Sequence, residues 1–436
     1  MRYELAITLR YFFSRERERS LSLITSLAAG GVTLGVAALV VAMSVMNGYQ
    51  ANMVRAMSGA LPHVSLLPSP QQGAPDFDAI ARDLQRSVRV ASVSPFLLQE
   101  ALVSNPAGAG APMQGVMLRG VDPAAEARLP EFLAFVSDGS PDWERRSAPE
   151  REARARAVLM GLERAAAQGE YPVLLSPELA RKLGVRLGEL LVPLVHPRQG
   201  EGFSPREAAG RLRVAGFFHT GILAFDEIVV LIYVHSIERI YPGSRRNFSL
   251  GVRLADPLDA GPVAERLRAE TSLGGSGFAV YSWLESNRGI FQVIRIQKVM
   301  LFIVLMLIVV IAFFGMVGAL VMLVIDKARE IAVLKSLGAS ERSVHLIFLA
   351  QGLLIGAVGT VLGVAAGLGL CWILDAFPLI EIPPGVYPGS DRIPVRVAWQ
   401  DLLLIVGGTM AVSLTATLYP SRKAMRLPPV NGLRYG

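Results

Sequence analysis

Residues Val299–Ile325 read VMLFIVLMLIVVIAFFGMVGALVMLVI, and Asp326–Ser340 follow at once as DKAREIAVLKSLGAS. At about 1.5 Å of helical rise per residue the uncharged run reaches about 40 Å, more than the ~30 Å hydrocarbon core of a bilayer. The charges that begin at Asp326 end the span. Beyond them Ile331, Leu334 and Leu337 recur at three-residue spacing, one face of a short helix that Gly338 can end. A short amphipathic helix beside a span either docks into a partner's groove or lies on lipid headgroups.

Three further apolar stretches, Leu21–Met46, Leu346–Leu374 and Leu402–Pro420, can each reach across or nearly across a bilayer. The predicted fold is therefore a membrane protein of four transmembrane α-helices, one before and three after a large α/β domain. Its segments are an interfacial helix at 1–20, a first span at 21–47, an exported domain at 48–298 and a second span at 299–325. The short helix at 326–345, a third span at 346–374, a loop at 375–400, a fourth span at 401–420 and a tail at 421–436 complete the chain. Arg2, Arg10, Arg15, Arg17 and Arg19 precede the first span, Lys327, Arg329, Lys335 and Arg342 separate the second from the third, and Arg422, Lys423, Arg426 and Arg434 follow the fourth. Basic residues mark the cytoplasmic side, so both termini are expected there, with the large domain outside, in the periplasm of a two-membrane bacterium.

With 52% hydrophobic residues among 436 and a mean hydropathy of +0.43, the chain is too apolar for an ordinary soluble enzyme. The net charge of +7 comes from basic residues that flank spans or alternate with acids, without interleaved aromatics, so nucleic acid is not an expected partner. One cysteine, Cys371, precludes a disulfide within the chain. None of the five lysines follows a glycine, so a phosphate-cradling G-x-x-x-x-G-K-[ST] loop is absent and any ATP must be hydrolysed by another subunit. The five histidines lack H-x-x-x-H spacing, no G-x-S-x-G elbow occurs, and the spans carry no acid or base. No catalytic or metal site is expected.

Alternating apolar runs predict strands at 63–67, 88–93, 115–121, 173–175, 189–195, 211–218, 228–234, 248–254 and 278–283. Helices are expected at 77–85, 177–183 and 260–269, the second ending at Gly184. A strand–helix–strand pattern near both ends of the domain suggests one lobe from 48–124 and 246–298, with a second lobe, 125–245, inserted. Residues 137–170, rich in Arg, Glu and Ala, read as a linker with an exposed helix. In the third span Gly352, Gly356, Gly359, Gly363 and Gly367 form a small-residue ridge, weaker in the first span at Gly31 and Gly35; such a ridge serves helix packing within one chain or a dimer seam. Bulky residues of the first two spans are lipid-facing filler or the wall of an apolar cavity, for which Met is well suited.

Several segments together resemble the permeases of the bacterial lipoprotein-releasing (Lol) system, the LolC/LolE type within the MacB/FtsX-like group. They are Ser44-Val45-Met46-Asn47-Gly48-Tyr49, Pro62-His63-Val64, Trp283-x-x-x-Asn287-x-x-x-Phe291, the Lys327–Ser340 stretch and Tyr419-Pro420-Ser421-Arg422-Lys423-Ala424. The resemblance implies a subunit without its own nucleotide site that pairs with a second LolC/LolE-like permease around a LolD-like ATPase dimer holding ATP and Mg. It implies extraction of triacylated lipoproteins from membrane lipid and delivery to a LolA-like periplasmic chaperone. Coupling to the ATPase then falls to Lys327, Arg329, Glu330, Leu334, Lys335, Leu337 and Gly338. The chaperone-binding loop matches His196, Pro197, Arg198, Gln199, Phe203, Ser204 and Pro205, for which an ordinary hairpin loop is the other reading. The lipoprotein cavity would be walled by Val41, Val45, Met46, Tyr49, Phe302, Met306 and Phe313. An FtsX-like mechanotransmission permease acting on a periplasmic cell-wall hydrolase is the alternative.

Overall fold

The computed structural model of the protein describes residues 19–68, 90–106, 113–168, 170–195, 206–207, 210–242, 244–269, 278–377 and 392–426, with isolated positions 80, 82 and 84. The chain opens with α1 (Arg19–Ala60), β1 (Val64–Pro68), β2 (Val90–Ser104), β3 (Gln114–Val121) and β4 (Val136–Ser137). It continues through α2 (Ala148–Ala167), β5 (Tyr171–Leu175), α3 (Pro177–Leu183), β6 (Leu190–Val195), β7 (Arg206–Glu207), β8 (Leu212–Phe218) and β9 (Val229–Tyr233). β10 (Ser249–Leu254), α4 (Ala260–Ala269) and β11 (Phe278–Ser282) precede four closing helices: α5 (Arg288–Asp326), α6 (Ala328–Ser336), α7 (Glu341–Ala376) and α8 (Trp399–Met425). Two compact units result, one from described residues within 1–51, 292–381 and 392–436, the other from those within 52–291.

In the helical unit α1, α5, α7 and α8 are each long and apolar enough to cross a membrane. Both α1 and α5 overrun the expected spans, because the polar residues beyond them keep the helical period. In the last turns of α1 the buried residues Met53, Ala56, Met57 and Ala60 recur at three- and four-residue steps. The glycine ridge of α7 is consumed within the chain. A Cβ on Gly363 would lie 2.7 Å from Val36 Cβ and 2.8 Å from the Thr33 carbonyl oxygen, and Gly359 and Gly367 meet Val32 and Val40 likewise. Gly352 and Gly356 instead abut Thr417 and Ser413 of α8. Gly35 and Gly31 let α1 approach Val309 and Ala312 of α5. Val32, Val36, Leu39, Val309, Phe313 and Met316 form the centre of the bundle.

The other unit is built on one sheet in the order β11-β1-β10-β2-β3-β9-β5-β8-β6-β7, with β4 on β8. The 15-residue β2 joins its halves. Its first part pairs antiparallel with β10 up to Phe96↔Ser249, and from Leu97↔Gly120 it pairs with β3. The halves therefore meet inside β2 instead of after residue 124, and β3 belongs with the inserted segment. Alternation puts Val173 and Leu175 into the core on one face, with Leu118 and Val214, and Leu174 into the core on the other, with Leu231, Phe132 and Phe218.

The exposed helix expected within 137–170 is α2, and it is amphipathic, with one face buried. α2 is capped by a Ser147/Glu150 capping box, and its buried face has Ala155, Leu159 and Leu162 in the second core and Ala166 beyond them. α3 follows its expectation: the Ser176 hydroxyl accepts from the Leu179 amide, Pro177 starts the helix, and Gly184 ends it at φ 65°.

Candidate functional site

The short helix after the second span is α6. Ile331 and Ala332 are buried, and Ile331 packs with Leu323, Val324, Val344, Phe348 and Ala424 at the base of the bundle. The expected Ile331–Leu334–Leu337 row is therefore split, with Ile331 facing the bundle and Leu337 facing away from it. Leu337 is 80% exposed and Val333 43%, while Leu334 is half-buried. Arg329 and Glu330 are exposed on the same side, so Arg329, Glu330, Val333 and Leu337 share one outward face at helical spacing. Lys335 turns inward: its Nζ donates to the Met425 carbonyl at 2.6 Å, and its side chain is 9% exposed. An ammonium there satisfies a carbonyl at the end of α8 and complements that helix's dipole. Lys327 pairs with Glu330 at 2.6 Å, and Gly338 adopts φ 99°, which glycine supplies at no steric cost.

Of the residues expected to wall a cavity, Phe313 and Met46 are buried in the helical unit. Phe313 fills the bundle core. Val41, Phe302 and Met306 are half-buried against that core, and Val45 and Tyr49 are half-buried. The widely exposed apolar residues of α5 are Val293, Ile296, Val299, Met300, Ile303, Val304, Leu307, Ile308, Ile311, Phe314 and Ile325. The loop residues His196, Pro197, Arg198, Gln199, Phe203, Ser204 and Pro205 lie outside the described residues. Their flanks, β6 and β7, pair antiparallel through Leu194↔Glu207 and Val195↔Arg206.

The segment Ser44–Tyr49 carries a polar cluster that sequence reading missed. Asn47 Nδ2 donates to Asp401 Oδ2 at 2.6 Å, and Lys298 Nζ donates to Asn47 Oδ1 at 2.8 Å and to both Asp401 oxygens at 3.1–3.2 Å. Next to it the Arg396 amide donates to the Ser44 carbonyl at 2.9 Å. A Cβ on Gly48 would stand 2.1 Å from the Pro394 carbonyl oxygen, so only glycine fits. Lys298 and Asp401 are 251 and 354 residues from Asn47, too far for any local pattern to reveal.

A second buried cluster holds the end of α1 in the sheet unit. Arg253 Nη1 donates to the Ser58 and Gly59 carbonyls at 3.1 Å each, Nη2 donates to Glu126 at 2.9 Å, and the guanidinium lies 5.7 Å from the centre of the Phe132 ring. His63 Nδ1 accepts from the Leu254 amide, so its proton is on Nε2, which donates to the Ser58 carbonyl at 3.1 Å. Burial, with Arg253 beside it, holds the His63 imidazole down to about 4. Arg119 on β3 is fully buried, its two Nη atoms have no hydrogen-bond partner, and burial lowers it to about 10 against the opposing pull of Glu126. Among the described residues no group of three His, Cys, Asp or Glu side chains is placed to hold a metal ion.

Residues 25–270 match the MacB-like periplasmic core domain, and residues 302–429 match the FtsX-like permease C-terminal family. Four apolar helices and this domain make the class a membrane permease with a MacB-like periplasmic domain. Over its whole length the chain is 30% identical to the lipoprotein-releasing system transmembrane protein LolC of Xylella fastidiosa (strain Temecula1), covering 99% of this chain and 98% of that one. Identity to LolC of Neisseria meningitidis serogroup B is 29%, with 99% of each covered, and to LolE of Haemophilus influenzae 24%, with 98% of each covered. The chain belongs to the LolC/LolE family of lipoprotein-releasing system transmembrane proteins.

Proposed function

We propose that this chain is the membrane subunit of an ABC-type complex that extracts triacylated lipoproteins from the inner membrane and hands them to a periplasmic chaperone. The supporting observation is the relation to LolC proteins along the full chain, periplasmic domain included. In this reading the chain crosses the inner membrane four times, one span before and three after the periplasmic domain, with both termini cytoplasmic. It pairs with a second LolC/LolE-like permease, and a LolD-like ATPase dimer, not this chain, binds ATP and Mg.

The physical task explains the division of labour. Lipid insertion gains about 0.8 kcal/mol per buried CH₂, so withdrawing three long acyl chains costs on the order of tens of kcal/mol and needs external work. The outward face of α6, with Val333 and Leu337 in the turns after Arg329 and Glu330, is the surface offered to the ATPase; Lys335 and Ile331 seat that helix on the bundle. The acyl chains are received along the first and second spans, by Val41, Val45, Tyr49, Phe302, Met306 and the exposed row of α5. The loop His196–Pro205 engages the chaperone, with Phe203 as its apolar anchor.

The test is reconstitution in liposomes with the ATPase subunit. Release of a triacylated lipoprotein should require both ATP and the chaperone, and release indifferent to the chaperone would reject the proposal. The FtsX-like match covers residues 302–429 alone, so it does not favour a hydrolase-regulating permease over this reading.

A further inference from the structure

The cluster of Asn47, Lys298 and Asp401 joins three helices at one level of the bundle, and its contacts are unequal. The 394–401 segment is tied to α1 three times: by the Arg396 amide on the Ser44 carbonyl, by the close approach of Gly48 to Pro394, and by Asn47 on Asp401. Helix α5 joins them differently. Deeper in the bundle it is packed closely on α1 where Val309 and Ala312 meet Gly35 and Gly31. Between Val293 and Ile303 it is unevenly packed: Ile294 is buried and Leu301 and Phe302 are half-buried, whereas Val293, Ile296, Val299, Met300 and Ile303 are 50% exposed or more. Among the described residues, Lys298 alone ties this part of α5 to α1 and α8 by polar contact, at side-chain exposures of 25% for Lys298 and 18% for Asp401.

We infer that Lys298 is a positioning residue, a releasable latch that holds the Val293–Ile303 part of α5 against a fixed α1–α8 pair through Asn47 and Asp401. The chemistry suits a reversible contact. A flexible lysine stem reaches a carboxylate and a carboxamide oxygen at a half-wet site, so the bond is charge-assisted yet can exchange for water without leaving a sealed, uncompensated charge. The Asn47 carboxamide offers a donor and an acceptor and can serve whichever charge stands beside it. With the latch open, α5 can pivot about the glycine contacts at Val309 and Ala312. Its use in lipoprotein release rests on the function proposed above; its existence does not.

The experiment is a pulsed-EPR distance measurement on the full-length protein in lipid nanodiscs. Spin labels at Val293→Cys and Leu403→Cys, both exposed, are placed in a Cys371→Ser background. The parent should show one narrow distance distribution. Lys298→Ala should add a second population, changing the ratio about tenfold, the effect of losing one charge-assisted bond. The exchanged pair Lys298→Asp/Asp401→Lys should restore the single distribution, which a merely misfolded variant would not do. Asn47→Ala, which leaves the ion pair in place, should fall between parent and Lys298→Ala, and it serves if Lys298→Ala does not fold. A parent-like distribution in Lys298→Ala or in Asn47→Ala, or an exchange no better than the single variant, overturns the latch. Failed lipoprotein release with the predicted distances would overturn the proposed function and leave the latch standing.

Discussion

Replacing Glu126 by Ala should be among the most damaging single changes in the sheet unit. Its carboxylate is the counter-charge for Arg253, 2.9 Å away, with both side chains 5% exposed, and the fully buried Arg119 stands in the same field. Removing one partner of a buried ion pair costs about 3–5 kcal/mol, because the surviving charge stays dry and unpaired. For a unit of this size 1 kcal/mol moves Tm by about 2–4 °C, so a fall of roughly 6–20 °C is expected. Trp143 and Trp283 report on this unit by fluorescence once Trp372→Phe and Trp399→Phe silence the other two tryptophans. The paired change Glu126→Leu/Arg253→Met separates the charge effect from the rest. A simple buried pair replaced by apolar groups is near neutral. Here Arg253 also holds the Ser58 and Gly59 carbonyls; Ser58 keeps its bond from His63, but orphaning the Gly59 carbonyl costs about 1–3 kcal/mol, so the double variant should remain destabilised. A loss below about 2 °C for Glu126→Ala, or a double variant as stable as the parent, would refute this account of how the end of α1 is held.

Gly363→Ala should cost about 1–3 kcal/mol through contact with Val36 and the Thr33 carbonyl, whereas Gly369→Ala, facing open space, should be neutral; thermal stability in detergent compares the two. Leu337→Asp should leave thermal stability unchanged and reduce co-purification with the ATPase subunit, since Leu337 is 80% exposed; retained co-purification would remove the docking role of α6. Acid should destabilise the sheet unit through His63. Its imidazole is held down to about 4 in the fold from 6.5, so the unfolded chain binds the extra proton between these values. Stability is intact near pH 7 and is lost as pH falls from about 6.5 to about 4, by on the order of 2–3 kcal/mol. His63→Gln, measured by the same fluorescence melt across that range, should flatten the slope.

What could be read from the chain was whatever has a local cause. The four apolar helices follow from runs of uncharged residues, and α3 follows from Ser176, Pro177 and Gly184, each acting on its own turn. The ends of α1 and α5 lie beyond the expected spans because polarity, which marks where lipid ends, does not mark where a helix ends; Met53, Ala56, Met57 and Ala60 bury a face without an apolar run. The buried face of α2 escaped for a related reason: its residues are Ala155, Leu159, Leu162 and Ala166, and two alanines among arginines look like a solvated helix until a sheet is there to cover them. The polar clusters have no local cause at all. Glu126 and Arg253 are 127 residues apart, and Asn47 and Asp401 are 354 apart, so each side chain by itself reads as surface.

The Ser44–Tyr49 segment shows how far resemblance and physics differ as warrants. Likeness to Lol permeases picked out the string without saying why those residues stand together. The structure supplies separate reasons for three of them: Ser44 lends a carbonyl to Arg396, Asn47 bridges a cation and a carboxylate on two other helices, and Gly48 leaves room for the Pro394 carbonyl. These reasons predict different failures. Gly48→Ala should act by steric exclusion and be insensitive to the residue at 298, so its effect should add to that of Lys298→Ala. Asn47→Ala acts through the same bonds that Lys298→Ala removes, so the two together should cost less than their sum. A double-mutant cycle on the spin-label distances distinguishes the two cases, and additivity for Asn47 with Lys298 would mean that the cluster does not act as a unit.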